Sequence, residues 1–457
     1  MAMSLTTPDS IRTLQRKLYL KAKAEPAFRF YQLYDKVWRA DMLAHAYALC
    51  RANAGAPGVD EVTFAMIEAA GLEEWLGRLG EDLQKKTYRP QAVRRVTIPK
   101  PGGGERPLGI PTIRDRVVQS AVKLIEPIFE ADLDDSAYGY RPGRDAADAI
   151  KQVHRLLCRG YSDIVDADLS KYFDTIPHAQ LMQSVARRIV DRQVLQLIKL
   201  WLKAPVEERD GNGTGRMSGG KDNDCGTPQG GVISPLLANL YMNRFLKHWR
   251  ATGKGEAFLA HIVNYADDFV ILSRGHAVEA LAWTQAVMMR LGLTLNEAKT
   301  SLRDARRERF DFLGYTFGPH RFTKDGHWYL GASPSRRSVQ RIKDKVGAVL
   351  VPSNKGAWPE VRDQLNRLLR GWSNYFGYGT RLQAYRAVDN HVYDHVRHFL
   401  AKRHKVQSRG SRHFPRELVF GEIGVLALRR VHLGPRRGLR GETSRRAGCG
   451  KSARPVR

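Results

Sequence analysis

His261-Ile262-Val263-Asn264-Tyr265-Ala266-Asp267-Asp268-Phe269-Val270-Ile271-Leu272 is the stretch on which the reading of this chain turns. An apolar run that halts at two adjacent carboxylates and then resumes predicts a tight hairpin with acid at its turn. Carboxylates buried against such strands are costly unless a cation compensates, so Asp267 and Asp268 either face solvent or hold metal. A second candidate strand, Asp163-Ile164-Val165-Asp166-Ala167-Asp168, also ends in acid and favours metal. Three carboxylates on two strand ends, Asp168, Asp267 and Asp268, can hold two Mg²⁺ ions about 3.5–4 Å apart, the clamp used for in-line phosphoryl and nucleotidyl transfer.

Around this core lie weaker signals. Phe173 follows Asp168 within Asp168-Leu169-Ser170-Lys171-Tyr172-Phe173-Asp174, where its ring can wall a sugar and exclude a ribose 2′-hydroxyl. An aspartate near a phenylalanine is ordinarily just packing; the acidic hairpin downstream tips the balance. Gly226-Thr227-Pro228-Gln229-Gly230-Gly231 makes a tight loop whose backbone can approach a ligand while Gln229 offers donor and acceptor. Lys100 and Arg106 flank Pro101-Gly102-Gly103-Gly104, a hairpin that would set two cations over a triphosphate, although the residues alone describe a solvated turn equally well. Gly215 to Lys221 lacks the Ser/Thr of a phosphate-binding loop, having Asp222 there, and Gly450-Lys451-Ser452 has Arg445 in place of the first glycine. His391, His395 and His398 share a helix face that fits a nucleic-acid contact better than zinc, there being no matching acid or thiol. Trp372 reads as core.

The chain has 457 residues with 75 Lys+Arg against 47 Asp+Glu, a net +28, and such an excess interleaved with Tyr and Trp favours nucleic acid as partner. Its four cysteines, Cys50, Cys158, Cys225 and Cys449, are isolated, which indicates a reducing compartment and no zinc module. Neither a signal-peptide core nor a run of ~20 apolar residues is visible, so a cytoplasmic protein with no membrane partner is expected. The pattern divides into an N-terminal helical extension (1–86), a mixed strand and helix region carrying every motif (87–325), a helical bundle (326–405) and a basic tail (406–457). Three amphipathic helices are predicted for the bundle, from Val339, Ile342, Val346 and Val349, then Val361, Leu365, Leu368, Leu369 and Trp372, then Tyr385, Val388, Val392, Val396 and Phe399. From Lys402 onward 16 Lys/Arg stand against 3 Glu, so a DNA-binding tail that is partly disordered until it meets nucleic acid is expected, the alternative being that Phe414, Leu418, Val419 and Phe420 form a helix docked on the thumb.

Read together, the motifs resemble the ordered blocks of group II intron reverse transcriptases. Tyr88-Arg89-Pro90, Ile98-Pro99-Lys100, Arg106-Pro107-Leu108-Gly109-Ile110-Pro111, Tyr138-Gly139-Tyr140-Arg141-Pro142-Gly143-Arg144, the Asp168 segment, Pro228-Gln229-Gly230, Tyr265-Ala266-Asp267-Asp268, Leu295-Asn296-Glu297-Ala298-Lys299-Thr300 and Phe312-Leu313-Gly314-Tyr315 fall in the family's order. Leu368-Leu369-Arg370-Gly371-Trp372-Ser373-Asn374-Tyr375-Phe376 resembles the maturase domain that follows. The resemblance implies an α+β right-hand polymerase, with fingers, an antiparallel-sheet palm and a helical thumb that is also the maturase domain. It implies RNA-directed DNA synthesis, help in splicing the intron RNA, and copying of that RNA at a DNA target, with deoxynucleotide triphosphates and a primer as substrates. Residue by residue, it implies that Asp168, Asp267 and Asp268 hold two Mg²⁺, Lys100 and Arg106 meet the triphosphate, Phe173 guards the sugar, Gln229 lines the nucleotide pocket and Lys299 assists the leaving pyrophosphate.

One departure bears on function. Many members end in a Cys/His-rich HNH endonuclease, whereas the tail here carries Cys449 alone, so second-strand cleavage by this chain is not expected. Two other readings compete: a splicing-only maturase with a decayed polymerase site, and a relative recruited to host defence or repair. Intact acids, Gln229 and Lys299 weigh against decay.

Overall fold

A computed structural model describes residues 6–99, 104–209, 215–220, 222–322, 325–407 and 410–431. Its strands are β1 (Val93–Pro99), β2 (Glu105–Ile110), β3 (Asp163–Asp168), β4 (Pro205–Arg209), β5 (Gly215–Gly219), β6 (Ala260–Tyr265), β7 (Asp268–Ser273), β8 (Ser301–Asp304), β9 (Phe310–Phe312), β10 (Tyr315–Arg321) and β11 (Trp328–Pro334). They form a fingers sheet of order β2-β1-β4-β5, a palm sheet of order β6-β7-β3-β8 and a small sheet of order β11-β10-β9.

Every pairing in the palm sheet is antiparallel, and alternation along its strands sorts the side chains between two cores. Val165, Ala167, Phe269 and Ile271 face the larger core, roofed by the helix Ser234–Ala251. That helix begins on Ser234-Pro235, where proline's missing N–H would have no partner anyway. Ile164, Val263, Val270 and Leu272 face the second core, shared with the helix Ala146–Cys158 and with Phe317 and Ala332 of the small sheet. A reciprocal cap between Asp145 and Asp148 starts the Ala146–Cys158 helix.

The N-terminal helical extension expected over 1–86 shares a core with the residues that follow it. Leu18, Leu33, Val37, Leu43 and Leu83 lie in the same core as Val117, Ile176 and Leu197. Arg188, itself buried, fastens them: it pairs with Asp132 at 2.9 Å and donates to the carbonyls of Ala22 at 2.6 Å and of Glu25 and Phe28 at 3.0 Å. Beside it, Phe30 bridges Ile189.

The predicted bundle appears as the helices Arg336–Val349, Trp358–Tyr375 and Leu382–Arg403, around Ile342, Val346, Leu365, Leu369, Val388, Val392 and Val396. Its expected start at 326 falls too early, because β11 pairs with β10 and keeps the chain in a sheet to Pro334. Trp372 packs on Phe376, ring centroids 4.9 Å apart, as a core position should. His154 joins palm to thumb: Nε2 donates to the Leu330 carbonyl at 3.2 Å, and Nδ1 lies 2.7 Å from the Tyr378 hydroxyl. Since the carbonyl can only accept, Nε2 carries the proton and Nδ1 accepts from Tyr378.

The expected loose tail, 406–457, is corrected over its first half. Val419, Val425 and Leu428 are buried in the thumb core, and Asp389 accepts from the Leu428 N–H at 2.8 Å while pairing with Arg429 at 3.2 Å. Apolar residues at these positions outweigh the basic composition, so 410–431 belongs to the thumb. Lys100, Lys221, Cys449 and the Gly450-Lys451-Ser452 run lie outside the described residues. Gly215–Gly219 is a strand paired with β4, as a phosphate-binding loop would not be. No described helix is long and apolar enough to cross a membrane.

Candidate active site

The acidic hairpin forms as the sequence predicts, with β6 ending at Tyr265, β7 beginning at Asp268, and Ala266 and Asp267 between them. Ala266 has φ +60, left-handed backbone that a residue with a Cβ seldom adopts. Its surroundings enforce it. The buried Asn264 side chain donates to the Ala266 carbonyl at 2.9 Å. The segment 136–139 runs alongside, with Asn264 N–H bonding to the Ser136 carbonyl at 2.9 Å and Tyr138 N–H to the Asn264 carbonyl at 2.8 Å. Gly139 lies so close that a Cβ there would come within 2.5 Å of the Ala266 nitrogen, and Asn239 from the roof helix donates to the Gly139 carbonyl at 2.7 Å. Any side chain at 139 would push the turn out of place.

Strand register brings the acids together. Asp168 at the end of β3 stands directly opposite Asp268 at the start of β7. Asp168 pairs with the Lys299 ammonium at 2.8 Å, and its carbonyl accepts from Asn296 N–H at 2.8 Å, which fixes the Asn296–Lys299 turn beside the sheet. The cleft walls desolvate Asp268 and, with Asp267, Asp168 and Asp166 beside it, push its pKa up to about 7, although the residue still reaches solvent at the cleft mouth. Asp267 is raised too, by desolvation first, with Arg106 opposing and Asp168 adding.

Asp166 was not singled out by the sequence. It shares the face of Asp168 two residues on, and desolvation pushes it up to about 6, with Arg303 opposing and Asp168 and Asp311 adding. The signal was present in the alternation of Asp163-Ile164-Val165-Asp166-Ala167-Asp168, once the strand's faces are known. Hard carboxylate oxygens short of countercharge are a donor set that suits a divalent cation. Among the described residues, however, no three His, Cys, Asp or Glu side chains are gathered closely enough to hold an ion as they stand.

Other expected residues sit around this centre. Arg106 is on β2 opposite Ile98, exposed, and close enough to Asp267 to stabilise its charge. Phe173 is half-buried in the short helix Tyr172–Thr175, edge-on to Tyr172 with centroids 5.7 Å apart, and its carbonyl accepts from Thr227 N–H at 2.7 Å. That bond ties the Phe173 segment to the Gly226–Gly231 loop. In the same loop the Gln229 carbonyl accepts from Gly109 N–H at 2.5 Å, and a Cβ on Gly230 would come within 2.4 Å of the Gly109 carbonyl. The loop is thus seated against β2 as well. Gln229 is half-buried there and its side chain has no hydrogen-bond partner among the described residues. His391 and His395 lie in the thumb with ring centroids 4.0 Å apart and planes tilted by 50°, far along the chain from the acids, and His391 Nε2 is 3.1 Å from the Lys343 carbonyl.

Paired acids on adjacent antiparallel strands, roofed by a helix and faced by a cationic fingers hairpin, define a template-directed nucleotidyl-transferring polymerase. Residues 98–317 match the reverse transcriptase (RNA-dependent DNA polymerase) family, and residues 339–416 match the maturase-specific domain of group II introns. Protein YkfC of Escherichia coli (strain K12) is 34% identical over 344 residues, covering 67% of this chain and 87% of that protein. The group II intron-encoded protein LtrA of Lactococcus lactis subsp. cremoris is 36% identical over 223 residues, which is 48% of this chain and 35% of LtrA. A telomerase structure from Candida tropicalis aligns with a TM-score of 0.40 at 13% identity, over 54% of this chain and 59% of that one, too loosely to add weight. The chain belongs to the group II intron reverse transcriptase and maturase family, and its class is RNA-directed DNA polymerase.

Proposed function

We propose that Asp168, Asp267 and Asp268 are the reacting centre of this polymerase and would hold two Mg²⁺ ions. The observation that carries this is the in-register facing of Asp168 and Asp268, with desolvation and mutual repulsion raising Asp268 to about 7. Bound there, divalent cations would neutralise phosphate charge and lower the pKa of the primer hydroxyl. The chain's own residues then divide the remaining work. Arg106, with Lys100, binds the triphosphate of the incoming deoxynucleotide; the half-buried ring of Phe173 closes the space a 2′-hydroxyl would need; Gln229 lines the pocket from its loop on β2. Lys299 holds the Asp168 carboxylate in place, and its largely exposed ammonium is the cation offered to the leaving pyrophosphate. Through its thumb and basic surface the protein binds its intron RNA, assists splicing, and copies that RNA from a primer at a DNA target, in the cytoplasm. Retention of all three acids weighs against a splicing-only protein.

Replacing Asp267 by Asn tests the assignment. Extension of a DNA primer on an RNA template should fall by ~10³ or more, since cation stabilisation is worth several kcal/mol and about 1.4 kcal/mol is a factor of ten. Intron RNA binding should persist. Extension near the wild-type rate in Mg²⁺ would remove these residues from the reaction.

A further inference from the structure

Tyr140 has no part in the roles above, yet the fold goes to some length to place it. It follows Gly139, which is wedged against the Ala266 backbone and held by Asn239. It precedes Arg141, whose buried guanidinium pairs with Glu130 at 2.6 Å and donates to the carbonyls of Asp134 at 2.6 Å and Ala137 at 2.8 Å. Between these two anchors Tyr140 is left with φ +55, left-handed backbone in a bulky aromatic residue. Strain of this kind persists only where the surroundings over-determine it, and it concentrates at working sites.

Packing does not call for the ring. Tyr140 is 51% exposed, and its hydroxyl has no hydrogen-bond partner among the described residues. Its phenol is raised by partial desolvation, with the Asp267 carboxylate and Tyr265 adding to that and Arg106 opposing it. The residue is fixed beside the acidic turn through the adjoining Gly139, whose Cβ position abuts the backbone of Tyr265 and Ala266.

The geometry points to Tyr140 as a substrate-contacting residue whose ring packs against the deoxynucleotide bound over Asp267 and Asp268. This rests on those acids being the reacting centre. An aromatic face suits an enzyme that must accept four bases, because every base has a π-face and stacking is tolerant of sequence. A backbone held on both sides fixes the Cα–Cβ direction from which the ring projects, which reduces what must be ordered on binding.

The test is steady-state primer extension on one RNA template and DNA primer while the deoxynucleotide is titrated, with primer–template affinity and Tm measured in parallel. Tyr140→Asn removes the ring and keeps a residue that visits left-handed backbone readily. Its KM for the deoxynucleotide should rise about tenfold, the loss of one base–aromatic stack, with primer–template Kd and Tm unchanged. Tyr140→Phe keeps the ring and should show a smaller rise. Tyr140→Gly, which also relaxes the backbone, must show the same rise as Asn. An unchanged KM in the Asn and Gly variants overturns the inference, and so does a loss confined to primer–template affinity. Asp267→Asn, run beside them, separates the failures: if it extends primers normally the reading of the acids fails, and if it is dead while Tyr140→Asn keeps the wild-type KM, Tyr140 alone is misassigned.

Discussion

Around Asp268 the palm keeps carboxylates face to face and holds Ala266, Tyr140 and Lys171 in left-handed backbone. In the thumb, from Arg336 to Arg403, Gly379 is the one residue with such a conformation, and the helices close on an uninterrupted apolar core. Charge repulsion is gathered around the acids, and ordinary apolar packing holds the three thumb helices. Two deep cores beneath the palm hold the repelling carboxylates and the strained turn in place.

The sharpest way to break that contrast is from the thumb side. Leu365 is fully buried in the bundle, so Leu365→Ala should destabilise the protein by about 2–5 kcal/mol, read by chemical or thermal unfolding. A negligible change would mean that the bundle is not held by its core. From the palm side, Asp268→Asn removes a charge that its neighbours repel. Measured with a chelator present, its Tm should rise modestly above wild type while primer extension is lost. A fall in Tm would show that Asp268 supports the fold as well as the reaction. The smallest effect is expected at the joint between the two regions. Desolvation lowers the pKa of buried His154, so the unfolded chain takes up its proton near pH 6.5 while the folded protein does not. Stability should therefore decline as pH falls below about 6.5 toward the lowered folded value, and His154→Gln should flatten that slope by up to about 1 kcal/mol per pH unit. Identical slopes in the two proteins would mean that protonated His154 is accommodated at the joint.

Legibility in the sequence followed the same division. The acids were readable because Asp267 and Asp268 interrupt strands that are otherwise apolar, a contradiction that demands a cause. The thumb helices were readable because Val388, Val392 and Val396 repeat at helical spacing. What escaped was whatever depends on a distant partner. Asn264 looks like a stray polar residue in a strand until its bond to the Ala266 carbonyl is seen, and Tyr140 gives no sign that its backbone is left-handed. β11 was hidden by Gly331, Ser333 and Pro334, and the docking of 425–431 by the arginines beside Leu428. Composition averages over a segment, whereas three buried side chains suffice to fix it.

Arg188 sets an order of events during synthesis. Its guanidinium gathers carbonyls from Ala22 to Phe28 that leave the ribosome some 160 residues before it does. At ~5–20 residues per second, that interval is on the order of ten to thirty seconds. For that time the first helix, Asp9–Ala24, has no guanidinium to fasten it and its apolar stripe of Ile11, Leu18 and Ala22 must wait. The amino end of this protein is made first and locked late.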